Sequence, residues 1–300
     1  MEKILKVQHV NDYARYIGAP ELHPLVSVIH YDELEHCRHS LNSYDVYAMF
    51  IGDEELENLS YGQLQYDLHR HALMCVSPGQ IGGKTDVGEE IQTKGWALLF
   101  DTELLRNTEL GRRMHGYTYF SYSVSEALLL TDEQRQSIVS LLELIRQELQ
   151  HEEDAHTLRI VTSLIEQVLE LIARYYSLQL STSATSTNSD LLLRFEQLLR
   201  QYYDNNLQQQ HGLPTVKYCA QELFLSPNYF GDLIRQMTGD NASSAIRRFV
   251  MQRAQQLLTS GRTITETAEM LGFEYPQHFT RTFKRHFGLS PSEYLKERRG

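Results

Sequence analysis

The chain has 300 residues, 41% of them hydrophobic, and a net charge of −11 at neutral pH, which favours two or three domains that each bury a core. The charge is unevenly shared. Residues 190–300 hold 14 Lys and Arg against 11 Asp and Glu, a net of +3, whereas residues 1–189 hold 14 against 28, a net of −14. This asymmetry indicates that only the C-terminal part meets polyanions.

The cysteines and the hydropathy pattern bear on the compartment. Cys37, Cys75 and Cys219 are far apart and odd in number, which fits reduced thiols in a cytosol. No apolar run approaches the ~18 residues that span a bilayer, and no apolar leader follows the first lysines. We therefore expect a soluble cytoplasmic protein without membrane partners.

Residues 22–100 have the pattern of a β-rich domain. Short β-branched or aromatic runs occupy residues 25–31, 44–51 and 73–76, and Gly- and Pro-containing turns separate them. Such short, closely spaced strands favour an antiparallel barrel or sandwich.

From Thr131 the apolar period changes from two to 3.6 residues. Thr131 and Gln134 form a capping-box pattern, and two long helices with apolar stripes follow, at residues 138–149 and 158–172. These stripes can pair between subunits as a dimer interface, or they can cover the β-rich domain and each other. We expect a homodimer, but the sequence does not decide whether the stripes form its interface or cover the β-rich domain.

Residues 181–189 lack any large apolar side chain and predict a flexible linker. The expected domains are therefore residues 1–180 and residues 190–300. Within the second domain, a helix at residues 191–207 leads into the first of two repeated helical units.

The C-terminal part contains two tandem helix-turn-helix patterns, of which the first spans residues 216–237. Thr215 can cap a helix that ends near residue 223, and Ser226 can cap a second helix with Pro227 in its first position. Ala220 lies where the two helices cross closely, so a larger side chain there would displace the second helix.

A helix over residues 245–258 joins this pattern to the second one. Thr263 and Glu266 form a capping box, Gly272 makes the turn, and Pro276 starts the second recognition helix. The connecting helix would hold the two recognition helices about one turn of DNA apart, ~34 Å, so that they enter successive major grooves.

The second recognition helix supplies most of the candidate DNA contacts. Gln and Arg can read the edges of A and G, and Lys and Arg can also neutralise phosphates. The candidates are Gln277, His278, Arg281, Lys284 and Arg285. Each has an ordinary alternative as a solvated surface residue, and Lys284 and Arg285 cannot both point into the groove.

The first recognition helix offers fewer contacts. Gly231 lowers helix stability by ~1 kcal/mol relative to Ala. Phosphate would repel the Asp232 carboxylate, although this carboxylate can accept a hydrogen bond from cytosine N4. Asn228 and Arg235 are its candidate DNA contacts. We expect this unit to contribute less affinity than the second one.

Residues 190–300 resemble the AraC/XylS family of bacterial transcription regulators. The second unit matches at Ile264, Ala268, Leu271-Gly272-Phe273, Phe279, Phe283-Lys284, Gly288, Ser290-Pro291 and Tyr294. The first unit matches at Ala220, Leu223, Leu225-Ser226, Tyr229-Phe230, Leu233 and Gly239. The resemblance implies promoter binding through both units, and an N-terminal cupin-like barrel that senses a small ligand or mediates dimerisation. The sequence departs from the family pattern at Gly231, Asp232 and Tyr275.

These observations predict a two-domain α+β protein, with an N-terminal cupin-like β-barrel carrying long helices and an all-α C-terminal domain. We expect a non-enzymatic transcription regulator with double-stranded promoter DNA as partner, an unidentified effector and no cofactor. The alternative is a cupin-type metal-binding or enzymatic module fused to a DNA-binding domain. His69 and His71 have the H-x-H spacing of metal cupins, but no Glu follows at the required distance, so we expect no metal.

Overall fold

The computed structural model describes residues 4–35, 37–38, 40–61, 64–84, 90–123, 126–182 and 187–297. The chain divides into two units, Met1–Gln179 and Leu180–Gly300. Of the predicted linker, residues 181–182 end one helix and residues 187–189 begin the next, while residues 183–186 lie outside the described part.

The described part of the N-terminal unit contains short strands and helices. Its strands are β1 (Leu5–Val7), β2 (Val26–His30), β3 (Cys37–Arg38), β4 (Leu41–Tyr44), β5 (Tyr47–Gly52), β6 (Leu56–Tyr61), β7 (Leu64–Leu68), β8 (Ala72–Val76), β9 (Ile81–Gly83), β10 (Glu90–Ile91), β11 (Gly95–Phe100) and β12 (Leu128–Leu129). Its helices are α1 (Val10–Ile17), α2 (Glu109–Arg113), α3 (Asp132–Gln150) and α4 (Thr157–Thr182). The predicted β-rich region and the two long helices are confirmed.

The strands form separate sheets. One five-stranded sheet has the order β1-β4-β9-β6-β7, another has the order β12-β8-β5-β11-β2, and β10 pairs with β3. Among the described residues no closed barrel is found, so the predicted barrel is not confirmed. Short strands of this kind can satisfy their edges in paired sheets as well as by closure, and the sequence pattern does not separate the two arrangements.

Strand β11 lies at the centre of the second sheet. It pairs antiparallel with β2 on one side and with β5 on the other, and all six of its residues are buried. Trp96 is 4% exposed and stacks on the His30 ring with centroids 4.1 Å apart. Trp96 is therefore a core aromatic.

Helices α3 and α4 bury their predicted stripes within the single chain. The Thr131 hydroxyl accepts from the Gln134 backbone N–H at 3.2 Å, which confirms the predicted capping box. The fully buried stripe residues include Ile138, Leu142, Ile145, Val161, Ile165, Val168, Leu169 and Ile172. This burial fits the arrangement in which the stripes cover the chain's own core.

His69 and His71, the pair considered as a metal site, have different surroundings. His69 is exposed, whereas His71 has a positive φ of 62° and its Nδ1 lies 3.3 Å from an Asp132 carboxylate oxygen. Within the described ranges, no group of three or more His, Cys, Asp or Glu side chains is placed to hold a metal ion.

The C-terminal unit is helical. It contains α5 (Thr187–Asp204), α6 (Gln208–His211), α7 (Val216–Glu222), α8 (Pro227–Thr238), α9 (Ala242–Thr259), α10 (Ile264–Met270), α11 (Pro276–Phe287) and α12 (Pro291–Glu297). One apolar core gathers the inward faces of these helices, with Phe230, Phe279 and Phe283 fully buried. In the described part of the chain, no helix is both long and apolar enough to cross a membrane.

Candidate nucleic-acid interface

The two helix-turn-helix units share one turn geometry. In the first unit the Leu225 N–H donates to the Ala220 carbonyl at 2.9 Å, and in the second the Phe273 N–H donates to the Ala268 carbonyl at the same distance. Both alanines are fully buried where the paired helices meet. The predicted small residue at each crossing is therefore confirmed, and the repeat of the hydrogen bond shows that both units hold their helices in the same way.

The residue inside each turn has a left-handed backbone. Gly272 has φ +86°, which glycine adopts without steric cost, and the corresponding Phe224 has φ +59°. The Phe224 side chain is 87% exposed. The first unit therefore keeps the same turn with a residue type that is strained in this conformation.

Local caps fix where three of the four helices begin. The hydroxyls of Thr215, Ser226 and Thr263 each accept a hydrogen bond from the backbone N–H three residues later, at 3.1, 3.3 and 3.2 Å. Tyr275, which precedes α11, makes no side-chain capping bond. Helix α11 instead begins with Pro276, whose missing N–H would have no partner in this position.

Helix α5 ties the turns to the core through two tyrosines, a role that its apolar pattern alone did not reveal. The Tyr202 hydroxyl donates to the Gly212 carbonyl at 3.0 Å, and the Tyr203 hydroxyl donates to the Leu271 carbonyl at 3.2 Å. Burial raises the pKa of both phenols, so they stay protonated and remain donors at neutral pH. The Leu271 bond holds the turn of the second unit directly.

Helix α11 separates its apolar and polar residues. Phe279 and Phe283 are fully buried, whereas all five predicted contact residues of this helix are exposed. His278, Arg281 and Arg285 line one groove on this helix. These three follow helical spacing along one side.

Gln277 and Lys284 lie outside that groove lining. Hydrogen bonds from Ser290 hold the pKa of the Glu293 carboxyl below its usual range, and the nearby Lys284 charge lowers it further. Lys284 therefore faces the start of α12. Of the two adjacent basic residues that the sequence left undecided, Arg285 is the one that lines the groove.

Helix α8 presents fewer candidate DNA-contact side chains than α11. Asn228 and Arg235 are exposed, as expected for contact residues. Gly231 and Asp232 are half-buried, and no atom lies within 4 Å of the position that a Cβ on Gly231 would occupy. The middle of this helix therefore has open space beside it and no long side chain to fill that space.

Two arginines at the beginning of α9 are not among the predicted contact residues. Arg247 lines the same groove as Arg281 and Arg285, and Arg248 pairs with Asp240. Partial burial lowers the pKa of His286 on α11, and the charges of Arg248 and Arg247 lower it further. The apolar spacing of residues 245–258 predicts a connecting helix, but it does not show which neighbour a polar side chain approaches.

The N-terminal unit contains a second candidate site, a cavity of about 140 Å³. Its lining includes Tyr13, Tyr31 and Tyr44, and burial raises the pKa of all three phenols. Asn42 is 2% exposed and its Nδ2 donates to the Tyr44 hydroxyl at 2.8 Å. Its Oδ1 has no hydrogen-bond partner among the described residues.

The helical unit is similar to a known family of domains. A family model described as a helix-turn-helix domain matches residues 219–297. The transcriptional regulatory protein YesN of Bacillus subtilis is 33% identical over 90 residues, 29% of this chain and 24% of YesN. The transcriptional activator RhaS of Escherichia coli is 25% identical over 197 residues, 59% of this chain and 70% of RhaS. The C-terminal unit is a DNA-binding domain of the AraC type.

Other similarities cover different shares of the chain. The Msm operon regulatory protein of Streptococcus mutans is 28% identical over 141 residues, 47% of this chain and 48% of that protein. The chain thus spans about a quarter of YesN and about half of the Msm regulator. Among solved structures, the C-terminal domain of the response regulator AraT from Geobacillus stearothermophilus is 28% identical with a TM-score of 0.30, covering 34% of this chain and 84% of that one. ToxT from Vibrio cholerae is 14% identical with a TM-score of 0.30, covering 90% of this chain and 98% of that one.

Proposed function

We propose that this protein is a sequence-specific regulator of transcription that binds double-stranded promoter DNA through its AraC-type domain. The observation that carries the proposal is the repeated turn, in which the carbonyls of Ala220 and Ala268 accept equivalent hydrogen bonds. Two units closed in the same way present two recognition helices, α8 and α11. Helices of this kind enter the major groove, and a spacing of ~34 Å would put them in successive grooves on one face of the duplex.

The charge and exposure of the recognition helices support a division of roles. Gln277, His278 and Arg281 are exposed near the first half of α11, the part of a recognition helix that meets base edges. Lys284 and Arg285, further along the helix, suit phosphates. Helix α8 contributes Asn228 and Arg235, and with its glycine and acidic residue it supplies less of the affinity.

Selection of bound duplexes from a random pool by the full chain tests this proposal. The expected result is an enriched sequence with two conserved elements whose centres lie about 10 base pairs apart, because that spacing matches one helical turn. Recovery of duplexes without any enriched sequence would contradict sequence-specific binding.

We further propose that the N-terminal unit is cupin-like and that its cavity binds a small effector. The support is the combination of a cavity, neutral buried phenols and the acceptor Asn42 Oδ1, which has no partner among the described residues. A buried acceptor without a partner carries a desolvation cost that a ligand donor would remove. Such a ligand regulates DNA binding only if it has different affinities for two states of the protein.

A thermal-shift screen of the full chain against monosaccharides and small organic acids tests the effector site. A ligand of the cavity is expected to raise the melting temperature of the wild type and to lose that effect in Asn42→Ala. If a compound stabilises both proteins equally, it binds elsewhere. If no compound in a broad panel shifts the wild type, the regulator acts without an effector.

Homodimerisation through α3 and α4 is also part of the proposal. Although the main stripes are buried, Leu144, Leu158 and Ile160 remain 48%, 39% and 42% exposed on these two helices. Sedimentation should show a dimer that Leu144→Asp weakens, whereas Leu129→Asp, at an equally exposed leucine on β12, should leave it intact. A monomeric wild type at micromolar concentration would contradict this part.

The compartment and the lack of catalysis belong to the same proposal. Cys37, Cys75 and Cys219 are all free and buried, as expected in a reducing cytoplasm. The alternative of a metal-dependent cupin-type enzyme fused to the DNA-binding domain makes a separate prediction. Elemental analysis of the purified full chain would show stoichiometric metal if that alternative were correct, and none under the regulator proposal.

A further inference from the structure

Arg247 lies on α9, the helix that connects the two helix-turn-helix units, yet it faces the second recognition helix. It lines a groove of about 750 Å³ together with His278, Arg281 and Arg285 of α11. Helix α9 packs against α11 along this region. Three arginines from two different helices therefore converge on one exposed groove.

The arginines of this groove form no ion pairs among the described residues, although one acidic residue also lines it. Arg247, Arg281 and Arg285 form no salt bridge with any residue in the described ranges. Glu274 is the acidic member of the lining, and its carboxylate accepts a hydrogen bond from Tyr275, whose pKa it raises. Gathering like charges is unfavourable unless an anion occupies the space between them.

Arg248 is already ion-paired, whereas the adjacent Arg247 has no described ion-pair partner and can contact an anion. Arg248 forms an ion pair with Asp240, which precedes α9. Arg247 is exposed, and Arg247 and Arg285 also line a smaller adjoining pocket, whose lining includes Thr282, His286 and the Asp240 that pairs with Arg248. Arg247 and Arg285 thus line both the groove and the smaller pocket beside α11.

We propose that Arg247 and Arg285 together bind one backbone phosphate of the DNA whose major groove α11 enters. The inference rests on the proposed DNA-binding function and extends the interface to the connecting helix. A side chain that reaches the duplex from beside a recognition helix meets the sugar–phosphate strand at the groove wall, whereas base edges face the recognition helix itself. The planar guanidinium fork matches a phosphate with two parallel hydrogen bonds.

Such a contact would set the depth and register of α11 rather than the sequence that it reads. A phosphate is present at every step of the duplex, so the contact strengthens binding to all sequences by a similar factor. Neutralising one phosphate also releases condensed counterions, so the contact contributes about one unit to the slope of binding against salt.

The test uses the full chain with its selected duplex and a scrambled duplex of equal length, each titrated across a range of salt concentrations. Arg247→Gln is expected to weaken binding to both duplexes by a similar factor, about 5- to 10-fold, and to reduce the salt slope by about one. Arg247→Lys should keep the slope. The matched control is Arg200→Gln, an equal charge change at an exposed site on α5.

Duplexes with a single neutral methylphosphonate linkage identify the phosphate itself. At the contacted position, the substitution should weaken wild-type binding and have no further effect on Arg247→Gln. The proposal is overturned if Arg247→Gln binds like the wild type, if Arg200→Gln loses as much, or if the loss is confined to the selected duplex. A wild type that binds neither duplex would overturn the DNA-binding function itself. That outcome differs from one in which Arg247→Gln binds both duplexes with wild-type affinity.

Discussion

Gly272 packs directly against Gly212: a Cβ atom on Gly272 would lie 2.8 Å from the Gly212 carbonyl oxygen. Gly272 is in the turn of the second helix-turn-helix unit, and Gly212 lies in the segment that leads into the first. The Tyr202 hydroxyl holds the same Gly212 carbonyl from α5. The close approach therefore links the entry of one unit to the turn of the other, and it leaves no room for a side chain.

Gly272→Ala should destabilise the protein by more than about 2 kcal/mol, because the left-handed backbone and the backbone clash both oppose a Cβ. Gly231→Ala is the matched control, since its Cβ would meet open space on a helix, and it should stabilise by roughly 0.5–1 kcal/mol. Urea unfolding of the full chain measures both. Equal effects of the same sign would mean that the Gly212 contact does not exist in solution.

Phe224→Gly should raise stability modestly, by roughly 0.5–1 kcal/mol. Phe224 occupies the left-handed turn position with its ring in solvent, so the change relieves a backbone cost of about 1–2 kcal/mol and loses little apolar burial, while the unfolded glycine gains some entropy. Thermal unfolding measures the change. A large loss of stability would show that the exposed ring is covered in solution.

Arg281→Ala should weaken binding of the full chain to its selected duplex by about 1–3 kcal/mol if this side chain reads a base, and it should relax the preference at one position of the site. Arg200→Ala, at an exposed arginine of α5, serves as the control and should bind normally. Gel-shift titration at fixed salt compares the three proteins. Unaltered affinity in Arg281→Ala would remove this residue from the interface.

The ion pair between Glu33 and Arg146 should make the stability of the N-terminal unit depend on pH. The Arg146 Nη1 donates to the Glu33 carboxylate at 2.7 Å, and this bond lowers the pKa of Glu33 to about 2. Because the folded pKa lies below the unfolded value of about 4.5, the stabilisation is present above pH 4.5 and is lost as the pH falls towards 2. The difference in stability between wild type and Glu33→Gln should shrink over that window. A difference that stays constant from pH 6 to pH 2.5 would contradict it.

The helical unit was predictable because each of its signals is local. A hydroxyl before a helix, as at Thr263, and a small residue at a helix crossing, as at Ala268, act within a few residues of the chain. The predicted helices therefore agree with α7 to α11 to within about three residues.

Sheet closure and the partners of polar side chains depend on residues far apart in sequence. Strand β1 pairs with β4, and β9 lies between β4 and β6, an order that short apolar runs do not specify. In the same way, Arg247 precedes Arg285 by more than thirty residues, and only the packing of α9 on α11 brings them to one groove. Apolar periodicity therefore predicts the helices, whereas the packing of the helices determines which exposed arginines line the same groove.

The most direct test of the central claim is a nuclease footprint of the full chain on a duplex that carries its selected sequence, at low salt. Two rigidly held recognition helices should protect two segments on one face of the duplex, with centres about one helical turn apart. Arg281→Ala should weaken protection chiefly at the segment bound by α11. A single protected segment, or no protection at protein concentrations that saturate nonspecific DNA, would contradict the claim that both units enter the major groove.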